Sequence, residues 1–132
     1  MSIYTVAHSP DADDIFMYAA CEFGWLGIDN ISFKASALDI ETLNVEALKS
    51  SYDITAISFA LYPKITNEYA LLATAASFGE GYGPKLVKKR GVSLKKHFKL
   101  ALSGENTTNA MLARIAYPNA KISYMNFLEI ED

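Results

Sequence analysis

An α/β fold with parallel strands is predicted by three observations: short apolar, β-branched runs alternate with helix-like runs, polar turns stand at the strand-to-helix junctions, and apolar residues make up 51% of 132 positions. That length is enough for one domain with a real core. Ile3 to Ala7 reads as a buried strand, and Phe16, Ala19, Ala20 and Phe23 then recur at helical spacing. Gly24 and Gly27 close that helix, and Ile31 to Ala37 is a second strand in which Ile31, Phe33 and Ala35 alternate with polar positions. Asp39 is placed to cap a helix whose apolar face is Ile40, Leu43, Ala47 and Leu48, with Asn44 beside it.

Tyr52 to Ile57 is the third strand candidate and puts Ser58 at a strand's carboxyl end, while Pro63 and Thr66-Asn67 limit the helical turn that follows. Leu71 to Ala76 is a further short strand candidate. Gly79, Gly81, Gly83 and Pro84 form a glycine-rich loop without the spacing of a nucleotide fingerprint, and Lys85 to Lys89 resumes an extended pattern. Leu100-Ala101-Leu102 is then a buried strand, Ser103 to Thr107 a polar turn, and Ala110 to Ala116 a helix with Met111, Leu112 and Ile115 inward. Lys121 to Met125 reads as a strand, and Asn126 to Asp132 starts another helix with Leu128 as its first core residue.

The net charge of −3 and the absence of a domain-wide basic surface argue against nucleic acid as a partner, and the run from Lys85 to Lys99 reads as a solvated segment. Cys21 has no second cysteine to pair with and reads as a small core residue. No membrane span or signal peptide is recognisable, so a cytoplasmic protein is expected. His8 and His97 lack companion ligands at metal-binding spacing, and no cofactor or metal is expected. Asp11, Asp13 and Asp14 could hold Mg²⁺ as carboxylates alone, although such sites usually also draw on substrate phosphates.

Three polar turns remain as site candidates: Ser9 to Asp14, Ile57 to Phe59, and Ser103 to Asn109. Asp and Thr at these places serve equally as helix caps, yet capping uses one side chain per helix. The others face the region beyond the carboxyl ends of the strands, where open α/β sheets bind ligands. Their N–H groups and the Ser58, Thr107 and Thr108 hydroxyls would suit a small acidic or polyhydroxylated molecule. Asn44 reads either as a satisfied polar flank or as part of that site.

Ser9-Pro10-Asp11-Ala12-Asp13-Asp14-Ile15-Phe16, Asp39-Ile40-Glu41-Thr42-Leu43-Asn44, Gly81-Tyr82-Gly83-Pro84 and Gly104-Glu105-Asn106-Thr107-Thr108, in this order and spacing, resemble the 1,4-dihydroxy-6-naphthoate synthases of the futalosine route to menaquinone. The resemblance covers nearly the whole chain. It implies a periplasmic-binding-protein-like (type II) fold, with residues 1–92 forming a first α/β lobe and residues 93–132 the start of a second, incomplete one. The activity implied is that of a lyase that releases the sugar-derived fragment of cyclic dehypoxanthine futalosine to leave an aromatic naphthoate.

Family contacts to this carboxylate substrate match Ala56, Ile57 and Ser58 and Thr107, Thr108 and Asn109, with Asp14 and Asn44 shaping the cleft. Ala56 and Ile57 offer only backbone or packing contacts, and some relatives carry Lys at the position of Ala56. The family's general base is a histidine beyond the segment matching Glu129 to Asp132, and neither His8 nor His97 matches it. The chain is therefore expected to be an amino-terminal part and a poor catalyst by itself, as a proton-transfer group contributes about 10²–10⁴ in rate. The alternatives are a relative of the menaquinone enzyme that dehydrates chorismate, and a solute-binding module for a small carboxylate without chemistry. The sequence is silent on oligomeric state.

Overall fold

The computed structural model describes residues 1–130, in which three parallel strands are ordered β2-β1-β3: β1 (Ser2–His8) lies between β2 (Ile31–Ala37) and β3 (Ile54–Thr55). Only the carboxyl half of β1, Val6 to His8, is buried, whereas Ile3 is 67% exposed, so the buried strand read from Ile3 is buried at one end alone. β2 has the bounds the alternation predicts. β3 is shorter than Tyr52 to Ile57 because side-chain bonds replace the ladder at its start: Asp53 Oδ2 accepts from both Thr5 N and Thr5 Oγ1 at 2.7 Å.

α1 (Ala12–Glu22) ends at a left-handed Gly24 with φ 65°, where Trp25 N–H donates to Ala20 O at 3.0 Å and Gly24 N–H to Cys21 O at 3.4 Å. These are the two bonds of a Schellman stop. Of the residues at helical spacing, Ala19 and Ala20 are half-buried, but Phe16 is 84% and Phe23 61% exposed, and Asp14, Met17, Tyr18 and Cys21 are the other half-buried residues of the helix. His8 sets the rotation of the helix, since its ring stacks on Tyr18 with centroids 5.1 Å apart.

α2 (Ile40–Ala47) starts where Asp39 Oδ1 accepts from Glu41 N and Thr42 N, each at 3.1 Å. It buries Leu43, Asn44 and Ala47, while Leu48 is left exposed. Ala47 packs with Leu61 and Ile65 from the 3₁₀ turn Phe59–Lys64 and the residue after it, and Ile57, Tyr62 and Tyr69 surround them. This is the core nearest the candidate turns.

β4 (Lys99–Leu102) and β5 (Lys121–Tyr124) form a second, two-stranded parallel sheet joined through α3 (Thr108–Ala116). Met111 and Leu112 are 38% and 39% exposed and Ile115 is 71% exposed, so none of the three points inward as expected. A two-stranded sheet offers α3 little to cover, and the helix turns its small residue Ala110 inward instead. The expected helix from Asn126 is a 3₁₀ turn at Phe127–Glu129 with Leu128 71% exposed, and its last residues, Glu131 and Asp132, lie outside the described residues.

Neither Leu71 to Ala76 nor Lys85 to Lys89 forms a strand, and every residue from 70 to 97 is exposed. Left-handed backbone at Ala75, Gly81 and Gly91 repeatedly turns this segment away from an extended path. Among the described residues, no helix is long and apolar enough to cross a membrane.

Candidate functional site

The aspartate turn is tied by its third carboxylate. Asp14 Oδ2 accepts from the N–H of buried Ser9 at 2.8 Å, and Ser9 Oγ accepts from Asp11 N at 3.2 Å. Asp11 occupies the N-cap position of α1 without a side-chain cap bond. Asp13 points elsewhere: its Oδ2 accepts from the Ser77 hydroxyl at 2.6 Å, a bond that holds its carboxyl below the usual carboxylate range. It stands at the rim of an open hollow of about 420 Å³ that is also lined by Phe78, Gly79 and Tyr82. The three carboxylates thus have separate surroundings, and no metal-holding group of three or more acidic, His or Cys side chains occurs among the described residues.

His8 is buried with Nδ1 2.7 Å from Ser9 O, and because a carbonyl only accepts, Nδ1 carries the proton. His97 lies exposed with Nδ1 3.3 Å from Asn119 O.

The other two turns come together beside α2. Asn44, fully buried, takes Ser58 at both ends: Ser58 N–H donates to Asn44 Oδ1 at 2.8 Å and Asn44 Nδ2 donates to Ser58 Oγ at 3.0 Å. Asn44 therefore holds Ser58 in place. Two residues on, Ala60 N–H donates to Thr108 Oγ1 at 3.2 Å, which joins the Ser58 turn to the start of α3. Ser58 Oγ and Thr108 Oγ1 each accept one bond and keep an O–H to donate. Both residues are half-buried, a setting that suits a carboxylate or hydroxyl oxygen.

Thr107 has a structural task, since its hydroxyl donates to Gly104 O and accepts from Ala110 N, both at 3.1 Å, as the cap of α3. Asn109 is exposed beside it. Ala56 and Ile57 are half-buried, and Ala56 N–H continues the sheet by donating to Ala7 O at 2.8 Å.

Sequence reasoning gave Glu41 no role of its own. Its carboxylate accepts from the Asn106 backbone N–H on both oxygens, at 3.2 and 3.1 Å, and from Asn106 Nδ2 at 2.9 Å. The available signal was a glycine two residues before Asn106. Gly104 is buried, and a Cβ there would fall 2.5 Å from Glu41 Cδ and 2.6 Å from Glu41 Cβ.

A family model described as menaquinone biosynthesis matches residues 4–132. The chain is 27% identical over 108 residues to the 1,4-dihydroxy-6-naphthoate synthase of Thermus thermophilus, covering 82% of this chain and 39% of that protein. It is 24% identical over 110 residues to the enzyme of the same name from Streptomyces coelicolor, covering 83% and 39%. The chain thus spans about two fifths of the length of the curated relatives it matches. A crystal structure of protein AF1704 from Archaeoglobus fulgidus superposes with a TM-score of 0.86 at 36% identity, over 97% of this chain and 48% of that one.

Proposed function

The chain belongs to the menaquinone biosynthesis family, and on that premise we propose that its two hydroxyl-bearing turns form a wall of the substrate cleft of a 1,4-dihydroxy-6-naphthoate synthase. The fold is then periplasmic-binding-protein-like, with residues 1–92 as one lobe and residues 93–132 as the beginning of the other. The reaction is a lyase step on cyclic dehypoxanthine futalosine. One observation carries the reading: Asn44 grips Ser58 at both ends, and Thr108 is bonded to Ala60, so two free O–H donors from distant parts of the sequence are held together.

In this cleft Ser58 and Thr108 bind the oxygens of the substrate. Asn44 fixes Ser58, Thr107 fixes the start of α3, and Asp14 shapes the turn after β1. Asn109, exposed next to Thr108, is the remaining polar contact, while Ala56 and Ile57 supply packing and backbone. Proton transfer belongs to the family's histidine, a position that neither His8 nor His97 matches.

The test uses the full-length protein with cyclic dehypoxanthine futalosine. Ser58→Ala and Thr108→Val should each weaken binding by about 1–3 kcal/mol, the scale of a buried hydrogen bond left unmade. Thr108→Ser, which keeps the hydroxyl, should retain affinity. Unchanged binding in both hydroxyl-deleted variants would remove these turns from the site. Consumption of chorismate in place of the futalosine derivative would move the protein to the dehydratase branch, and binding without turnover would make it a solute-binding module.

A further inference from the structure

Glu41 and Asn44 stand three positions apart on α2, so they lie one above the other on one side of the helix. Each holds a different turn. Asn44 has both ends of its amide on Ser58, and Glu41 takes the backbone and side-chain N–H groups of Asn106. Asn106 is further held by Lys64, whose Nζ donates to Asn106 Oδ1 at 3.2 Å from the end of the 3₁₀ turn. The absence of a side chain at Gly104 lets Glu41 lie directly against the polar turn. From Asn106 the chain enters the Thr107 cap, and the next residue is Thr108. Its hydroxyl thereby falls within reach of Ala60 N.

We propose that Glu41 is a positioning residue: through Asn106 it sets where Thr108 stands relative to Ser58, which makes α2 the common mount of both substrate-facing turns. The proposal rests on the reading of those turns as substrate contacts. A carboxylate in the first turn of a helix is also favoured by the helix dipole, a role that would need no Asn106. The two roles separate when the partner is exchanged.

The experiment is amide hydrogen exchange on the full-length protein, combined with KM and kcat for cyclic dehypoxanthine futalosine. Glu41→Ala should speed exchange at Asn106 and Ala60 by about tenfold, since both amides lose a held partner, while Ser58 N–H stays protected by Asn44. KM should rise by about tenfold with a smaller change in kcat. Glu41→Gln loses the charge but keeps Oε1 to accept from both the N–H and the Nδ2 of Asn106, and should stay close to the native protein. Asn106→Asp alone sets a second carboxylate against that of Glu41 and should behave like Glu41→Ala; adding Glu41→Gln reverses donor and acceptor on that bond, keeps an acceptor for the backbone N–H, and should restore both protection and KM. Unchanged Ala60 exchange and KM in Glu41→Ala would overturn the proposal. So would a paired variant no better than Asn106→Asp alone. If Ala60 exchange responds and is rescued while even the native protein fails to bind the substrate, the mount stands and the assigned substrate falls.

Discussion

Residues 39–65 and residues 70–97 are similar in length and both rich in apolar side chains, but they use them in opposite ways. The first segment buries Leu43, Asn44, Ala47, Leu61 and Ile65, and its one fully buried polar side chain is bonded at both ends. The second leaves every residue exposed, with Phe78 and Val87 each at 85%. Apolar content is therefore not what separates them. In the first, a capped helix repeats its apolar positions at a spacing that keeps them on one side, where each buried aliphatic side chain stabilises by about 1.5–3 kcal/mol. In the second, left-handed backbone and Pro84 interrupt any repeat before a face can form.

The largest expected effect tests that contrast directly. Leu61→Ala should lower unfolding free energy by about 2–5 kcal/mol, the range for a large-to-small change in a packed core. Leu72→Ala, at a residue 58% exposed, should change it by less than about 0.5 kcal/mol in the same denaturant titration. Equal losses would show that residue 72 is covered in the folded protein, and the contrast would collapse.

A smaller effect belongs to the cap that begins the ordered segment. Asp39→Ala should cost about 1 kcal/mol, as loss of an N-cap acceptor does. Burial pushes the Asp39 carboxyl up, but bonds from the Thr42 hydroxyl and the Thr42 and Glu41 N–H groups outweigh it and hold the carboxyl below its ordinary value. A depressed folded-state pKa means that the contribution is present above the unfolded value and is lost as pH falls through the folded one. Acid unfolding of Asp39→Asn should therefore be less steep than that of the native protein below about pH 4. An unchanged acid limb would remove Asp39 from the account of the ordered segment.

The smallest effect lies at the point where the exposed segment touches the ordered part. Ser77→Ala should let the Asp13 carboxyl titrate nearer its ordinary range, as followed by its NMR shift, with no change in Tm. A fall in Tm matching that of Asp39→Ala would mean that residues around Ser77 are docked on α1, which would blur the distinction between the two regions.

What was legible in the sequence is what local chemistry decides. β2 and the Asp39 cap follow from alternation and from one side chain meeting the N–H groups two and three residues on. Ser58 and Thr108 stand out in the sequence as polar residues at strand-to-helix turns and Asn44 as a polar flank of α2, although the bonds of Asn44 to Ser58 and of Ala60 to Thr108 leave no local mark. The face of α1 was misread because its rotation depends on the stacking of His8 on Tyr18 and on the reach of Asp14 back to Ser9, neither of which leaves a mark in the apolar spacing. α3 was misread because the periodicity of Met111, Leu112 and Ile115 presumes a wider sheet than the two strands beside it. Glu41 was missed because its partner stands 65 residues away.

The fit of Gly104 against Glu41 also constrains how the two positions can change over time. Any side chain at residue 104 would meet the Glu41 carboxylate and its stem, so a larger residue there is tolerable only in a chain that has already shortened position 41. Shortening position 41 first leaves Asn106 without its acceptor. Each route passes through a weakened intermediate, and the order of the steps decides which weakness is met. Relatives should accordingly keep both residues or replace both, a correlated pattern carried by two side chains that meet in space and lie far apart in the chain.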